Sequence, residues 1–449
     1  MASQRNVLFS LAVIALSVIL IRFVFSVVYE PNGFYDRRAP DFWLDIARNV
    51  ANGEGYTWPG DGKPTARRGP TVVYYFAAFI WLFGDNLWAV MMAQWLMELG
   101  TAILIYFIAL HIFKNQRVAL ASSLLFACYA PGYIFTIRAW SEPIFTFTLA
   151  AFTLSTLSAL RSPAVWRFAL CGACLGLAVL ARPIMQYYPL AMLVVIAWGL
   201  KGNWRQIIPG FASFCLAFAL VLSPWIIRNY QLWNAFVPGS THSGIPFYQA
   251  QYALGEDDYL SYRTTHDWVP PLLQVLEARY GPAPGSSDIA SFIKAKGLNE
   301  YEVDRLALSE GLKVVRESPG RYIESSIIRF VRFWLGKQFT ESLINGGEIS
   351  YGYIVMFFNG SALVLALVGC FYYRGDWLRL SVPLMVLVAY NMALYMATIA
   401  LPRFSVPIMP YVNILAAYTL VNLLPSTFGQ QRRPANFSRI PAPQPERVG

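Results

Sequence analysis

Long apolar runs, broken by short polar joints, dominate this chain. A membrane-crossing helix needs roughly 20 apolar residues. Ten windows reach or approach that length: 7–29, 87–112, 118–136, 140–160, 164–181, 183–200, 206–227, 353–373, 380–400 and 404–424. An eleventh run, 71–84, is shorter. No small-x-small cleavage site follows the first window, which reads as a retained anchor. The pattern predicts an all-α polytopic membrane protein with about ten transmembrane helices.

Two polar stretches are too long to be connectors, residues 30–70 and 228–352. Within the first, residues 41–52 (DFWLDIARNVAN) have the spacing of an amphipathic helix. Pro40 is expected to start it and Gly53-Glu54-Gly55 to end it. Within the second, 300–317 and 319–336 read as helices, with Ser318 as cap and Pro319 at the first position. Arg329 and Arg332 beside Phe330 and Trp334 point to a helix lying on the membrane surface. The Pro- and Gly-rich stretch 280–287 reads as a loop, and the Pro/Arg-rich tail 425–449 as disordered. The expected organisation has four parts. A transmembrane module, 1–227, includes outer loop 30–70 and a short helix at 71–84. A small outer domain, 228–352, follows, then C-terminal membrane helices at 353–424 and the tail. No internal repeat is visible.

Composition agrees and removes other classes. Of 449 residues, 56% are hydrophobic and only 13% charged, against about 25% charged in soluble proteins. Disordered, collagen-like and soluble nucleic-acid-binding chains are excluded. Cys128, Cys171, Cys174, Cys215 and Cys370 all lie in apolar runs. They read as core residues, and the CxxC of Cys171 and Cys174 as one helix turn. With three histidines and no clustered ligands, no metal site and no cofactor are expected.

The net charge of +10 matters through its placement. With Arg5 cytoplasmic and 71–84 re-entrant or interfacial, the loops holding Lys114/Arg117, Arg161/Arg167, Lys201/Arg205 and Arg374/Arg379 all fall inside. So does the tail with Arg432 and Arg433, as the positive-inside rule asks. Both termini are then cytoplasmic. The remaining cations break the rule. Arg37, Arg38, Arg48, Lys63, Arg67 and Arg68 lie in the first outer segment. Arg138, Arg182, Arg228 and Arg403 lie at outer helix ends. Such a ring matches the oxygens of a lipid phosphate; the plainer alternative is headgroup anchoring.

Acids stand among these cations. Asp41 and Asp45 are four apart on one face, and Asp36 lies just before them. Each could cap a helix, or serve as general base beside a lipid phosphate. Glu142, between Ser141 and Pro143, also marks an outer helix start. Glu98 falls mid-membrane and must be paired or protonated. Tyr56, His242 and Tyr248 are outer polar groups able to touch a sugar or acceptor. His242 lies in a Gly/Ser/Thr-rich loop that would suit a lid.

The stretches "PDFWLDIARNVANGEGYTW" and "KPTARRGPTVVYYFAAFIWLFGDN" resemble the first outer loop of the GT-C glycosyltransferases. "IRAWSEPIF", "GLAVLARPIM", "SPWIIRNYQLWNAFVPGSTHSG" and "LPRFSVPIMPY" fit the same family. The pair "VDRLALSEGLKVVRESPGRYIESSIIRFVRFW" is similar to the outer domain of bacterial members. The likeness runs from about residue 7 to about 424. It points toward bacterial members related to protein O-mannosyltransferases and lipid A aminoarabinose transferase. The resemblance implies a GT-C fold and an inverting hexosyl or pentosyl transferase. Its sugar would come from a polyprenyl (undecaprenyl) phosphate. The acceptor would be an envelope glycan, lipid or protein, on the outer face of a bacterial inner membrane. It also implies a first-loop aspartate as general base. Asp41 matches that position best, with Asp36 and Asp45 as alternatives. Arg67, Arg68, Arg138, Arg182, Arg228 and Arg403 would hold the donor phosphate. Partners would be the lipid-linked donor, the acceptor and membrane lipids, with no nucleic acid. A transporter or flippase of a lipid-linked precursor is the main rival, and a non-catalytic assembly partner a second. The lack of repeats and the one-sided cations favour the enzyme.

Overall fold

The computed structural model describes residues 4–29, 42–60, 62–255, 269–286, 288–335, 342–344, 347–373, 375 and 377–423. Asp36, Arg37, Arg38, Pro40, Asp41 and the tail 425–449 lie outside them.

The apolar windows become helices that run in chain order. They are α1 (Gln4–Tyr29), α2 (Trp43–Ala51), α3 (Pro70–Phe83), α4 (Leu87–Phe113), α5 (Gln116–Ala127), α6 (Ile134–Ile137), α7 (Glu142–Arg161), α8 (Val165–Ala181), α9 (Tyr188–Gly199) and α10 (Trp204–Trp233). The outer segment folds as α11 (Gly244–Gln251), α12 (Val269–Tyr280), α13 (Ile289–Lys296), α14 (Glu300–Glu317) and α15 (Pro319–Leu335). A short antiparallel pair, β1 (Ser342–Ile344) and β2 (Gly347–Ser350), follows. The chain closes with α16 (Tyr351–Tyr372), α17 (Trp377–Leu380), α18 (Val382–Ala397) and α19 (Met409–Leu423). Among the described residues, this hairpin and the isolated Thr57–Pro64 bridge depart from the all-α expectation.

Among the described residues, six helices are long and apolar enough to cross a membrane, or seven if α5 with the bent segment to Ile137 is one span. The shorter apolar helices α3, α8, 183–199 and α18 account for the other windows. Burial ranks the spans. The α7 window and that of Pro402–Leu423 are each 72% buried, whereas those of α1 and α10 are 22% buried. α7 and α19 are therefore central, and α1 and α10 turn large apolar side chains outward, as lipid-facing helices do.

Two predicted windows change shape. The run 118–136 bends by 48° between α5 and the next turn, where Ala130-Pro131-Gly132 cannot continue a regular helix. The run 206–227 extends to Trp233 straight through Pro209 and Pro224. Inside the bundle, Glu98 is paired. Arg22 of α1 donates to its Oε2 at 2.7 Å and to the Ala127 carbonyl at 2.9 Å, where α5 ends. The Arg22 guanidinium also stands 4.4 Å from the centre of the Tyr133 ring.

The outer segment has its own apolar core, centred on Leu272, Leu276, Phe292, Val303 and Ala307. Loop 281–286 lies between α12 and α13, as expected. α15 departs from the surface reading. Ile323, Ile327 and Phe330 are exposed, but Arg329 and Trp334 are buried. Arg329 donates to the Ala250 carbonyl at 2.7 Å and to Gln251 Oε1 at 2.9 Å. A buried guanidinium needs such acceptors, so this face of α15 binds the bundle instead of headgroups.

Candidate active site

α8 stops at Ala181 because Pro183 disfavours helical geometry at Arg182, which is extended. The Arg182 side chain turns to the start of α7. Its Nε donates to Ser141 Oγ at 2.9 Å, and Nη2 donates to Glu142 Oε1. Glu142 is 2% exposed. The buried phenol of Tyr395 is hydrogen-bonded to Arg182 and lies in the field of Arg403. The Arg403 guanidinium stands 4.8 Å from the Trp140 ring centre and 5.3 Å from that of Phe404. Arg138 lies 5.8 Å from the same Trp140 ring. Arg138, Arg182, Arg403 and Glu142 thus share one aromatic-walled cluster. Gln94 of α4 fixes the turn that carries Arg138. Its amide nitrogen donates to the carbonyls of Phe135 at 2.9 Å, Arg138 at 2.6 Å and Trp140 at 3.3 Å.

A second cluster gathers Tyr56, Arg67, Arg68 and Arg228. The chain turns back through Gly60 and Gly62, and Trp58 N–H donates to the Lys63 carbonyl at 2.8 Å. Arg67 stacks over Trp58 at 4.6 Å, with Phe42 packed on that indole at 4.8 Å. Tyr56 Oη donates to the Arg68 carbonyl at 2.8 Å, and burial pushes its phenol well above the usual range. Arg228 lies over Trp225 at 4.6 Å, and donates to the Tyr56 carbonyl at 3.2 Å and Asn229 Oδ1 at 2.8 Å.

Glu300, at the start of α14, ties this cluster to the outer unit. It pairs with Arg67 Nε at 3.2 Å and accepts from Thr65 Oγ1 at 2.8 Å, Ala66 N–H at 2.6 Å and Thr241 Oγ1 at 2.6 Å. One turn on, Asp304 accepts from Gly244 N–H at 2.8 Å, Ile245 N–H at 3.0 Å and Ser243 N–H at 3.2 Å. Burial raises the Asp304 carboxyl above its ordinary value, against these hydrogen bonds. The loop of His242 is further fixed by Thr241 N–H donating to the Ala66 carbonyl at 3.0 Å and Ser240 Oγ to that of Arg67 at 2.8 Å.

The two clusters adjoin. Gly69 follows Arg68, and a Cβ there would strike the Leu180 carbonyl. Gly239 sits so close to Pro183 that a Cβ would lie 2.8 Å from its ring. Only glycine permits these approaches, which press the second cluster against the Arg182 turn.

The other candidates fall elsewhere. Asp45 pairs with Arg48 at 3.2 Å, and Arg48 also grips Asp85 at 3.0 Å. Tyr248 is buried in the outer unit's apolar core. α2 begins at Trp43, not Pro40, after Phe42 in the left-handed region at φ 58°. Packing on Trp58 holds Phe42 there. Among the described residues, no group of three His, Cys, Asp or Glu converges. Gln94, Tyr395, Glu300, Asp304 and Arg22 were missed in the sequence. The i, i+4 spacing of Glu300 and Asp304 was the one local signal.

A polytopic helical bundle with this outer unit has the GT-C fold. Residues 67–227, a segment holding Arg67, Arg68, Arg138, Glu142 and Arg182, match the model of the dolichyl-phosphate-mannose-protein mannosyltransferase family. Among solved structures, the chain is similar to the archaeal oligosaccharyltransferase AglB from Archaeoglobus fulgidus, in complex with an inhibitory peptide and a dolichol-phosphate. The TM-score is 0.51 and the identity 15%, covering 92% of this chain and 50% of that one. An Archaeoglobus fulgidus oligosaccharyltransferase tethered to an acceptor peptide gives a TM-score of 0.52 at 14% identity, over 92% and 49%. ArnT from Cupriavidus metallidurans, bound to undecaprenyl phosphate, gives a TM-score of 0.39 at 16% identity, over 94% and 78%. The chain therefore spans about half the length of the oligosaccharyltransferase chains it matches. No curated protein matches it.

Proposed function

We propose that this protein is an inverting membrane glycosyltransferase. It takes a hexosyl or pentosyl group from a polyprenyl-phosphate donor and passes it to a glycan, lipid or protein acceptor on the outer face of a bacterial inner membrane. The observation that carries this reading is the convergence of Arg138, Arg182 and Arg403 around the Trp140 turn, beside Glu142. A sugar phosphodiester carries one negative charge. The monoester that leaves carries close to two at neutral pH. Guanidinium groups beside the phosphate hold the departing monoester more tightly than the singly charged donor, and that difference lowers the barrier.

The acceptor O–H or N–H attacks the anomeric carbon as its bond to phosphate oxygen breaks. The electron pair leaves on the polyprenyl phosphate, and the acceptor's proton passes to a carboxylate. We assign that carboxylate to Asp41. Asp45 is already engaged with Arg48, which leaves Asp36 as the alternative. Phe42, next to Asp41 in the chain, packs on the indole that supports Arg67, which supports a role on the acceptor side of the site. Arg67, Arg68 and Arg228 would meet the sugar-proximal or acceptor side, together with Tyr56 and His242.

The test supplies purified full-length protein in detergent with polyprenyl-phosphate-linked sugars and measures release of polyprenyl phosphate. Release that requires Asp41 and Arg403 supports the reading. Intact donor carried across a vesicle bilayer without release would replace it with a lipid transporter.

A further inference from the structure

A second concentration of positive charge stands at the opposite end of the bundle. His111 is in the last turn of α4, Lys114 follows that helix, and Arg161 ends α7. With Gln116, Ser158 and Phe107 they line a cavity of about 680 Å³. Arg161 is the last of the twenty residues of α7, which begins at Glu142, so about 30 Å of helix lies between this cavity and the first arginine cluster. The same phosphate cannot reach both.

The cavity is furnished for an anion and holds none of its own. Among the described residues, no carboxylate comes within ion-pair distance of His111, Lys114 or Arg161. Partial burial, and then the charge of Arg161, push the Lys114 ammonium below its usual range. Among the described residues, the buried Nε2 of Gln116 has no acceptor, although an amide N–H is costly to leave unpaired. Gln116 is also the first residue of α5, a helix start whose Arg117 and Val118 N–H groups are capped by Asn115 Oδ1. The Ser158 hydroxyl supplies a further donor, and Phe107 lies toward the membrane-spanning body of α4. Cationic donors at a helix-end recess, above apolar wall, match a phosphate headgroup.

We propose that this cavity is a phosphate-binding site, separate from the candidate active site, that takes the headgroup of an anionic phospholipid or a free phosphate ion. The topology expected from the positive-inside rule puts it at the cytoplasmic leaflet, where anionic headgroups would bathe it.

The experiment uses the full chain in detergent, titrated with phosphatidylglycerol and, separately, with inorganic phosphate, and read by native mass spectrometry. Phosphatidylglycerol is expected to stay bound to the wild type. The double variant Lys114→Gln/Arg161→Gln should weaken it about thirtyfold, at about 1 kcal/mol for each charge. Lys114→Arg should retain it, which separates charge from folding. Arg205→Gln, on another basic loop, should leave it unchanged. If inorganic phosphate binds with the same variant dependence and the lipid does not, the occupant is a free phosphate. Equal binding by wild type and double variant with both probes overturns the proposal, as does an equal loss in Arg205→Gln.

Discussion

The Arg22–Glu98 pair offers a quantitative test of the bundle. The two side chains are 1% and 7% exposed, and lie 2.7 Å apart. In Glu98→Leu a guanidinium stays in an apolar interior without its counter-charge, and in Arg22→Met a carboxylate does. Breaking a buried pair from one side costs about 3–5 kcal/mol. Arg22→Met also strips the Ala127 carbonyl of its donor, adding about 1–2 kcal/mol. In the double variant no charge remains. Its cost reduces to the Ala127 hydrogen bond and the contact with Tyr133, about 2–3 kcal/mol together. The single effects sum to about 9.5 kcal/mol, so a coupling of about 7 kcal/mol is expected. Equilibrium unfolding in mixed detergent and SDS micelles, followed by tryptophan fluorescence, measures all four proteins. A double variant that equals the sum of the singles to within about 0.5 kcal/mol would refute the claim that this pair holds α1 to the end of α5.

Four further outcomes are expected. Asp41→Asn should lower sugar transfer by about 10²–10⁴-fold, with donor binding and thermal unfolding unchanged, and Asp45→Asn should stay active; a fully active Asp41→Asn removes Asp41 from the mechanism. Arg403→Ala should weaken binding of polyprenyl phosphate by about 2 kcal/mol, or about thirtyfold in titration, and unchanged affinity would exclude Arg403 from the phosphate site. Asp304 binds its proton more tightly folded than unfolded, so its contribution is full below the ordinary carboxyl value and lost as pH rises through the raised one. Asp304→Asn should therefore gain stability relative to wild type as pH rises above the ordinary carboxyl value, and a difference in unfolding free energy that stays flat as pH rises would contradict the assignment. Gly69→Ala should lower the melting temperature and the activity together, because its methyl group meets the Leu180 carbonyl; a variant with wild-type behaviour in both would show that the approach is not tight.

The helices were legible because apolar runs of membrane length leave few other solutions. α14 and α15 were legible for a different reason: the Ser318-Pro319 junction breaks the chain wherever it is placed. The bend after α5 was harder to see, since Pro131 sits inside an apolar run that reads as one span. The continuation of α10 through Pro224 was hidden by the opposite effect: a membrane helix tolerates proline when neighbours satisfy the freed carbonyl. At the site, residue type pointed to Arg67, Arg68, Arg138, Arg182, Arg228 and Arg403 as one set, and the structure divides them, with Arg138, Arg182 and Arg403 in one group. Residue type could not separate these three from the Tyr56–Arg228 group, because that division depends on which aromatic ring each guanidinium stacks upon. Glu300 was invisible for a plainer reason. Nothing near it in the chain signals that its partners are Thr65 and Ala66.

The Glu300 clamp also sets a timetable. Thr65 and Glu300 are 235 residues apart, and a ribosome needs about 10–50 s to add that many residues at 5–20 residues per second. The first outer loop is therefore made long before the helix that grips it. Until α14 arrives, Thr65, Ala66 and Arg67 have no Glu300 to hold them. A nascent chain that stops after α8 and its next turn holds Arg67, Arg68, Arg138 and Arg182, yet has no Glu300 to lock the turn at Thr65–Arg67. Locking of that turn is thus deferred to the second half of synthesis.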